Sequence, residues 1–153
     1  MAIRKANIKD LGKLKQLFRD SILNSGKEHY SQAQLKVWSD RADVSSRWLG
    51  LIKEQYTILL EVENEVMGFA SLKGEDYFDF LYVSQHQQGK GYAKQLYRAI
   101  LAEAKKRGAT KIYSDVSYMA KPFFLAQGFA VLKENENQLG EEILINFRVE
   151  KVL

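Results

Sequence analysis

A chain of 153 residues fits one domain, taken as 1–153, and its 46% apolar and 27% charged residues describe a globular mixture, which excludes a disordered chain. No apolar run approaches the roughly 18 residues of a membrane span, and Met1–Ala6 shows no signal core, so neither a membrane nor export is expected and a cytoplasmic location is. The lack of cysteine excludes disulfides, thiolate metal sites and a Cys nucleophile; two histidines, His29 and His86, put no metal in prospect, and a net charge of +4 is too small to name a partner.

Ile3 to Ala6 reads as an opening strand. Asn7 with Asp10 three residues later has the spacing of a helix cap, and Leu11, Leu14, Phe18 and Ile22 follow at helical intervals up to Gly26. Ser31 and Gln34 form a capping box that opens a short helix with Leu35 and Trp38 on one face. A further helix is expected around Trp48, Leu49 and Ile52. Tyr56–Val62 and Val66–Leu72 are β-rich runs joined by Glu63-Asn64-Glu65, a hairpin signal, and Tyr77–Val83 is a third, aromatic strand.

A long helix follows the glycines, because Ala93, Leu96, Tyr97, Ile100, Leu101 and Ala104 make one apolar stripe. Lys105-Lys106-Arg107 suits the dipole at its C-terminal end and Gly108 stops it. Lys111–Val116 is expected as a strand, Pro122–Gln127 as a short helix stopped by Gly128, and Phe129–Leu132 and Glu142–Val149 as closing strands. The alternation of elements gives an α/β or α+β domain with a mixed sheet.

The charge is unevenly spread. Residues 1–55 carry +5, residues 56–89 carry −5, residues 90–122 carry +6 and residues 123–153 carry −2, so an acidic-to-basic switch falls at Gly89-Lys90. There, Gln88-Gly89-Lys90-Gly91-Tyr92-Ala93 joins the aromatic strand to the long helix without the Ser, Thr, Asp or Asn that usually caps the first N–H groups. Such a helix start is open to an external anion, glycine lets a phosphate approach the backbone, and Lys90 and Lys94 add positive charge. A Walker loop needs Gly-Lys-Ser/Thr and a dinucleotide fingerprint needs a small residue where Lys94 stands, so both are excluded. The plainer alternative is a glycine turn that only joins strand to helix.

Gln88-x-x-Gly91-x-Ala93, preceded by Leu81-Tyr82-Val83, resembles the acyl-CoA pyrophosphate loop of the GNAT-type N-acetyltransferases. Ser117 to Phe129 resembles their second cofactor-contacting helix, which ends in Gly-Phe, and Tyr30-Ser31-x-x-Gln34-x-x-x-Trp38 resembles a subgroup of small bacterial members. The order of elements agrees over essentially the whole chain. The resemblance implies the acyl-CoA N-acyltransferase fold, a mixed, mostly antiparallel sheet of about seven strands flanked by about four helices and splayed between its fourth and fifth strands. It implies acetyl-CoA or coenzyme A as co-substrate and no metal. The pantetheine arm would lie along Leu81, Tyr82 and Val83, and the pyrophosphate on Gln88, Gly89, Lys90, Gly91, Tyr92, Ala93 and Lys94. Ser117, where the family usually has Asn, and Phe124 would complete the cofactor contacts.

Acyl transfer from a thioester to an amine needs a neutral nucleophile. A lysine-like amine has a pKa of about 10.4, so neutralising it near pH 7 requires roughly 4–5 kcal/mol, which a nearby carboxylate can help supply. Strand alternation puts Tyr77, Asp79, Leu81 and Val83 on one face. Asp79 is the candidate base, with Glu75 and Asp76 in reserve; the alternative is a carboxylate ending a strand at the surface. Many relatives protonate the departing thiolate with the Tyr of a Phe-Tyr pair, which here is Phe123-Phe124. Tyr118 or Ser117 could replace that hydroxyl, but a thiol of pKa near 8.5 already leaves fairly well, so an enzyme without a strong dedicated acid is expected.

Tyr30 and Trp38, with Trp48, fall in helices that border the acceptor pocket in the family, where aromatic faces attract a cationic amine; core anchoring is the preferred reading for Trp48. His86 stands where the family often has Pro and reads as an exposed loop residue.

The function so expected is direct acetyl transfer from acetyl-CoA to a primary amine on a small molecule or peptide, with the acidic block 56–89 drawing in a cationic amine. Absence of cysteine speaks against an acyl-cysteine intermediate. The alternative is an acyl-CoA sensor or regulatory module without catalysis. Nucleic-acid binding ranks last, because no readout motif is present and the basic stretch has another use. Dimerisation of many relatives through late strands leaves a homodimer open.

Overall fold

The computed structural model describes residues 1–87 and 89–153, and for His86 the backbone alone. In chain order the elements are β1 (Ala2–Lys5), α1 (Leu11–Ser25), α2 (Gln32–Ser39), α3 (Ser45–Lys53), β2 (Tyr56–Val62), β3 (Glu65–Lys73), β4 (Tyr77–Val83), α4 (Tyr92–Lys106), β5 (Lys111–Val116), α5 (Lys121–Ala126), β6 (Ala130–Leu139) and β7 (Glu142–Val152). The α-helices among the described residues therefore number five, where about four helices were expected. Seven strands form one sheet in the order β1-β2-β3-β4-β5-β7-β6. Every neighbouring pair is antiparallel except β4 and β5, which are parallel and share the single register pair Tyr77–Tyr113.

Local chemistry accounts for most boundaries. The Asn7 side chain accepts from the Lys9 amide while the Asp10 carboxylate accepts from the Asn7 amide, and Arg4 on β1 grips both oxygens of Asp10 at 2.9 and 2.8 Å. The Ser31–Gln34 capping box forms with both of its bonds, at 2.9 and 3.1 Å. Between β2 and β3, Glu63 and Asn64 take φ of 52° and 66°, the left-handed pair that a tight hairpin requires. In α3, the helix expected around Trp48, Leu49 and Ile52, the buried side is Trp48 and Leu51, while Leu49 is exposed.

The sheet is covered on both faces. On one side α4 and α5 pack Leu96, Tyr97, Ile100 and Phe124 against Ile58, Leu60, Ala70, Leu72, Phe78 and Ile112. On the other, α1, α2 and α3 pack Leu14, Phe18, Ile22, Leu35 and Trp48 against Leu59, Phe69 and Phe80. No helix is long and apolar enough to cross a membrane among the described residues.

Two expectations need correction. The simple alternation of β4 fails at a bulge: Ser71 of β3 faces Phe80 and the adjacent Leu72 faces Phe78, so Asp79 has no partner. The extra residue puts Phe78 in the core under α4 and Phe80 in the core under α1 and α3, and Leu81 and Val83 follow Phe78. The second is β6, which runs to Leu139 rather than ending at Leu132. Its Lys133–Gln138 stretch is too polar to read as strand because it forms the outer edge of the sheet, where charged side chains block further pairing.

Arg4 and the Asn7 amide hold the buried Asp10 carboxyl below the usual carboxylate range, against the opposing effect of burial. A group of lowered folded pKa stabilises above its unfolded pKa and loses that contribution as pH falls through the folded value. Asp10→Asn is therefore expected to lower unfolding free energy by about 1–2 kcal/mol at pH 7. In urea titrations over decreasing pH, the gap to the unaltered protein closes below about pH 4.

Candidate active site

Beyond Tyr77 the edge of β4 that faces β5 has no strand partner. The two strands are tied only near the start of the gap. The Tyr113 amide donates to Asp76 O at 2.8 Å, and the Ser114 hydroxyl donates to Phe78 O at 2.7 Å. A polar knot reinforces this tie. Asp115 of β5 accepts from the Tyr77 hydroxyl (2.7 Å), from Arg148 of β7 on both oxygens (2.8 and 2.9 Å) and from Asn135 of β6 (2.8 Å). Burial pushes the Asp115 carboxyl up, but these donors outweigh it and leave it below its ordinary value. Burial and the Asp115 contact both raise the Tyr77 phenol, so it stays protonated.

A cavity of about 890 Å³ occupies the gap. Leu81, Tyr82 and Val83 of β4 form one wall, and Val116, Ser117, Ala120, Phe123 and Phe124 of β5 and α5 form the other. Its far end reaches the start of α4, lined by Gly89, Gly91, Tyr92, Ala93 and Lys94. Gly89 and Gly91 have φ of 85° and 80°, left-handed values that L side chains rarely adopt, and no atom stands within 4 Å of where either Cβ would be. Conformation alone therefore calls for glycine here. Gly91 occupies the cap position of α4 and no side chain caps the helix, so the first amides face the cavity end without a side-chain acceptor. Lys94 lines this end, whereas Lys90 is exposed and does not. Gln88 lies outside the described residues.

At the near end Asp79 projects from the bulge into the cavity. Gln55, just before β2, donates to Asp79 Oδ2 at 2.7 Å, which fixes the carboxylate and leaves Oδ1 without a protein donor among the described residues. The reserve acids Glu75 and Asp76 are exposed in the β3–β4 turn and do not line the cavity. The other acids of the 56–89 block are also outside it, so Asp79 alone carries that block's charge into the cavity.

Tyr30 and Trp38 both line this end and meet edge to face at 5.2 Å. The Tyr30 hydroxyl is committed: it donates to Ile145 O at 3.0 Å and accepts from the Tyr118 amide at 3.2 Å. Trp48 is a core residue, fully buried, with its indole N–H donating to Arg41 O.

Tyr118, a candidate acid on sequence grounds, is not brought to the cavity. Its ring stacks on His29 and meets Tyr30 and Phe147 edge-on, because the backbone there turns it between the α1–α2 connection and β7. Ser117 does reach the cavity, and its oxygen accepts from the Ala120 amide at 3.2 Å. Phe124 fills its place as an apolar wall, 2% exposed.

Sequence reasoning missed Gln55, Asp115, Arg148, and the two arginines Arg41 and Arg47 that line the cavity. None sits in a motif. Each acquires its place through contacts that only the tertiary fold creates. Among the described residues no group of three or more His, Cys, Asp or Glu could hold a metal ion.

Residues 27–145 match the acetyltransferase (GNAT) domain family. The chain belongs to that family. It is 30% identical to a GCN5-related N-acetyltransferase from Rhodopseudomonas palustris (aminotransferase, class-II), covering 99% of this chain and 95% of the other with a TM-score of 0.95. An uncharacterised N-acetyltransferase of Escherichia coli K12, YafP, is 25% identical over 90% of this chain and 87% of its own. The PaiA N-acetyltransferase of Thermoplasma acidophilum, solved in complex with coenzyme A, shares the fold at 21% identity with a TM-score of 0.83, covering 99% and 98% of the two chains.

Arg148→Met is expected to lower unfolding free energy by about 2 kcal/mol, because it strands the Asp115 carboxylate among partly buried neighbours. Urea titration at pH 7 measures the loss, and Asp115→Asn in the same background recovers part of it.

Proposed function

We propose that this protein transfers an acetyl group from acetyl-CoA directly to a primary amine. The observation that carries the reading is one continuous cavity with an uncapped helix start at one end and a tethered carboxylate at the other. Family membership and the coenzyme A found in PaiA support it.

The features present fit the co-substrate. Amides at the start of α4, with the helix dipole and Lys94, suit the phosphates, and the left-handed glycines leave the backbone open to close approach. The unpaired edge at Leu81–Val83 offers backbone groups to the two amides of a pantetheine arm, as a missing strand would. Ser117, with its oxygen already accepting, retains a proton to donate. When bound, acetyl-CoA supplies the activated acetyl thioester.

Asp79 serves as the base. With Oδ2 held by Gln55, Oδ1 is free to take a proton from the incoming ammonium, directly or through water, and so supply the neutral amine. The new C–N bond replaces the C–S bond, and the nitrogen's second proton passes through solvent to the departing thiolate. Neither the Phe123-Phe124 pair nor Tyr118 supplies an acid, since Phe124 has no hydroxyl and Tyr118 faces elsewhere. A thiol near pKa 8.5 makes this tolerable.

Thiol release from acetyl-CoA, followed over grouped amines, tests the activity. Amine-dependent turnover is expected; tight coenzyme A binding with no turnover over the whole panel would instead fit an acyl-CoA sensor. Asp79→Asn should reduce kcat/KM by about 10²–10³. An unchanged rate would remove Asp79 from the mechanism. Gly91→Asp should raise the coenzyme A Kd at least about tenfold by calorimetry, because a side chain at this left-handed position strains the loop and its carboxylate repels phosphate.

A further inference from the structure

Among the described residues Arg47 forms no ion pair. It projects from α3 into the amine end of the cavity, its guanidinium 4.8 Å over the Phe80 ring and 5.3 Å over Phe18. Among the described residues its buried Nη1 has no hydrogen-bond partner and no carboxylate lies at ion-pair distance. Desolvation lowers its pKa and the charge of Arg41, which lines the same end, adds to this, while the Asp79 carboxylate in the same cavity acts the other way without cancelling them.

Of the acids nearby, Asp43 pairs with Arg19, Asp40 with Lys36 and Asp115 with Arg148. Glu136 lines the cavity from an exposed place on β6, and Asp79, tethered by Gln55, lines it without forming an ion pair with Arg47. Leaving a buried guanidinium N–H unsatisfied is costly, and packing alone would be served by Leu or Met between two phenylalanines. The Arg fork matches one ligand chemistry best, a planar carboxylate.

We infer that the acceptor carries a carboxylate beside its amine, and that Arg47 receives this carboxylate while Asp79 faces the amine. The class so defined is a free amino acid. The aromatic and aliphatic surface of Tyr30, Trp38, Leu139 and Leu144 in the same end suits an apolar side chain. A polyamine lacks the anion that Arg47 needs, and a peptide N-terminus has an amide in its place. The inference rests on reading this end of the cavity as the acceptor site.

The test is binding to the full chain saturated with coenzyme A, by calorimetry, of a panel of free amino acids with apolar, polar and charged side chains, each beside its carboxamide. At least one apolar amino acid should bind tenfold or more tightly than its amide. Arg47→Met should erase that preference, Arg47→Lys should restore part of it, and circular dichroism checks the fold of both variants. The comparison of acid with amide in the unaltered protein stands even if a variant fails to fold. Equal binding of acids and amides, or no binding of any acid, overturns the inference. Acid-selective binding without thiol release from acetyl-CoA sinks acetyl transfer and leaves the carboxylate site standing. Turnover of amines with no preference for acids does the reverse.

Discussion

A sheet that declines to close between two of its own central strands is the constraint on which the rest of this structure turns. Past the Tyr77–Tyr113 pair, β4 and β5 diverge, and each backbone group along that edge forgoes a ladder hydrogen bond. The sheet survives because both halves are tied elsewhere. The Ser114 hydroxyl and the Tyr113 amide pin the base of the gap, the Asp115 knot joins β4, β5, β6 and β7, and Phe78 packs edge-on against Phe124 across it at 5.4 Å. These contacts also set where the gap starts. The knot is costly to assemble from partly buried charges, yet Asp115 meets a donor on every side and its gain persists only because all of them are present.

The bulge at Asp79 is the second device, and it depends on the first. With regular alternation, Phe78 and Phe80 would share one face, and one of the two cores would lose its central aromatic ring. Inserting one unpaired residue serves both cores and leaves an acid projecting where the strand leaves its partner. Ser71 fills the interrupted ladder by accepting from the Phe80 amide at 3.2 Å. A carboxylate in this place needs a tether, because a mobile one would spread over many rotamers; Gln55 supplies it from the strand's flank.

What was legible in the sequence is local. Apolar spacing marked α1 and α4, paired side chains marked both capping boxes, and two glycines without a capping residue marked the open start of α4, because each signal lies within a few neighbouring residues. The resemblance to the acetyltransferases added the splay, which no periodicity encodes. The illegible parts are long-range. Asp115 meets Tyr77 across 38 positions and Arg148 across 33, and Gln55 meets Asp79 across 24. The bulge shifts the side-chain phase with no glycine or proline to announce it. Tyr118 sits one position from Ser117, which reaches the cavity, yet points to His29; a turn of backbone decides between them.

Charge read along the chain misleads for the same reason. The acidic run 56–89 looks able to attract a cation, but Glu63, Glu65, Glu75 and Asp76 are spent on solvent at hairpin ends and Glu61 on Arg4. Only Asp79 enters the cavity, where it meets Arg41 and Arg47 from the basic first segment. The basic run 90–122 is similarly divided: Lys94 stands at the cavity, while Arg107, at the other end of α4, pairs with Glu103 and bonds Gly74 O. Because the dielectric is lowest and screening weakest inside the cavity, these few enclosed charges outweigh the many at the surface in selecting a ligand. A cavity lined by Asp79 and Glu136 as well as by two guanidiniums, with Asp115 tied to Arg148, presents both signs of charge and suits a molecule bearing both better than a simple polycation.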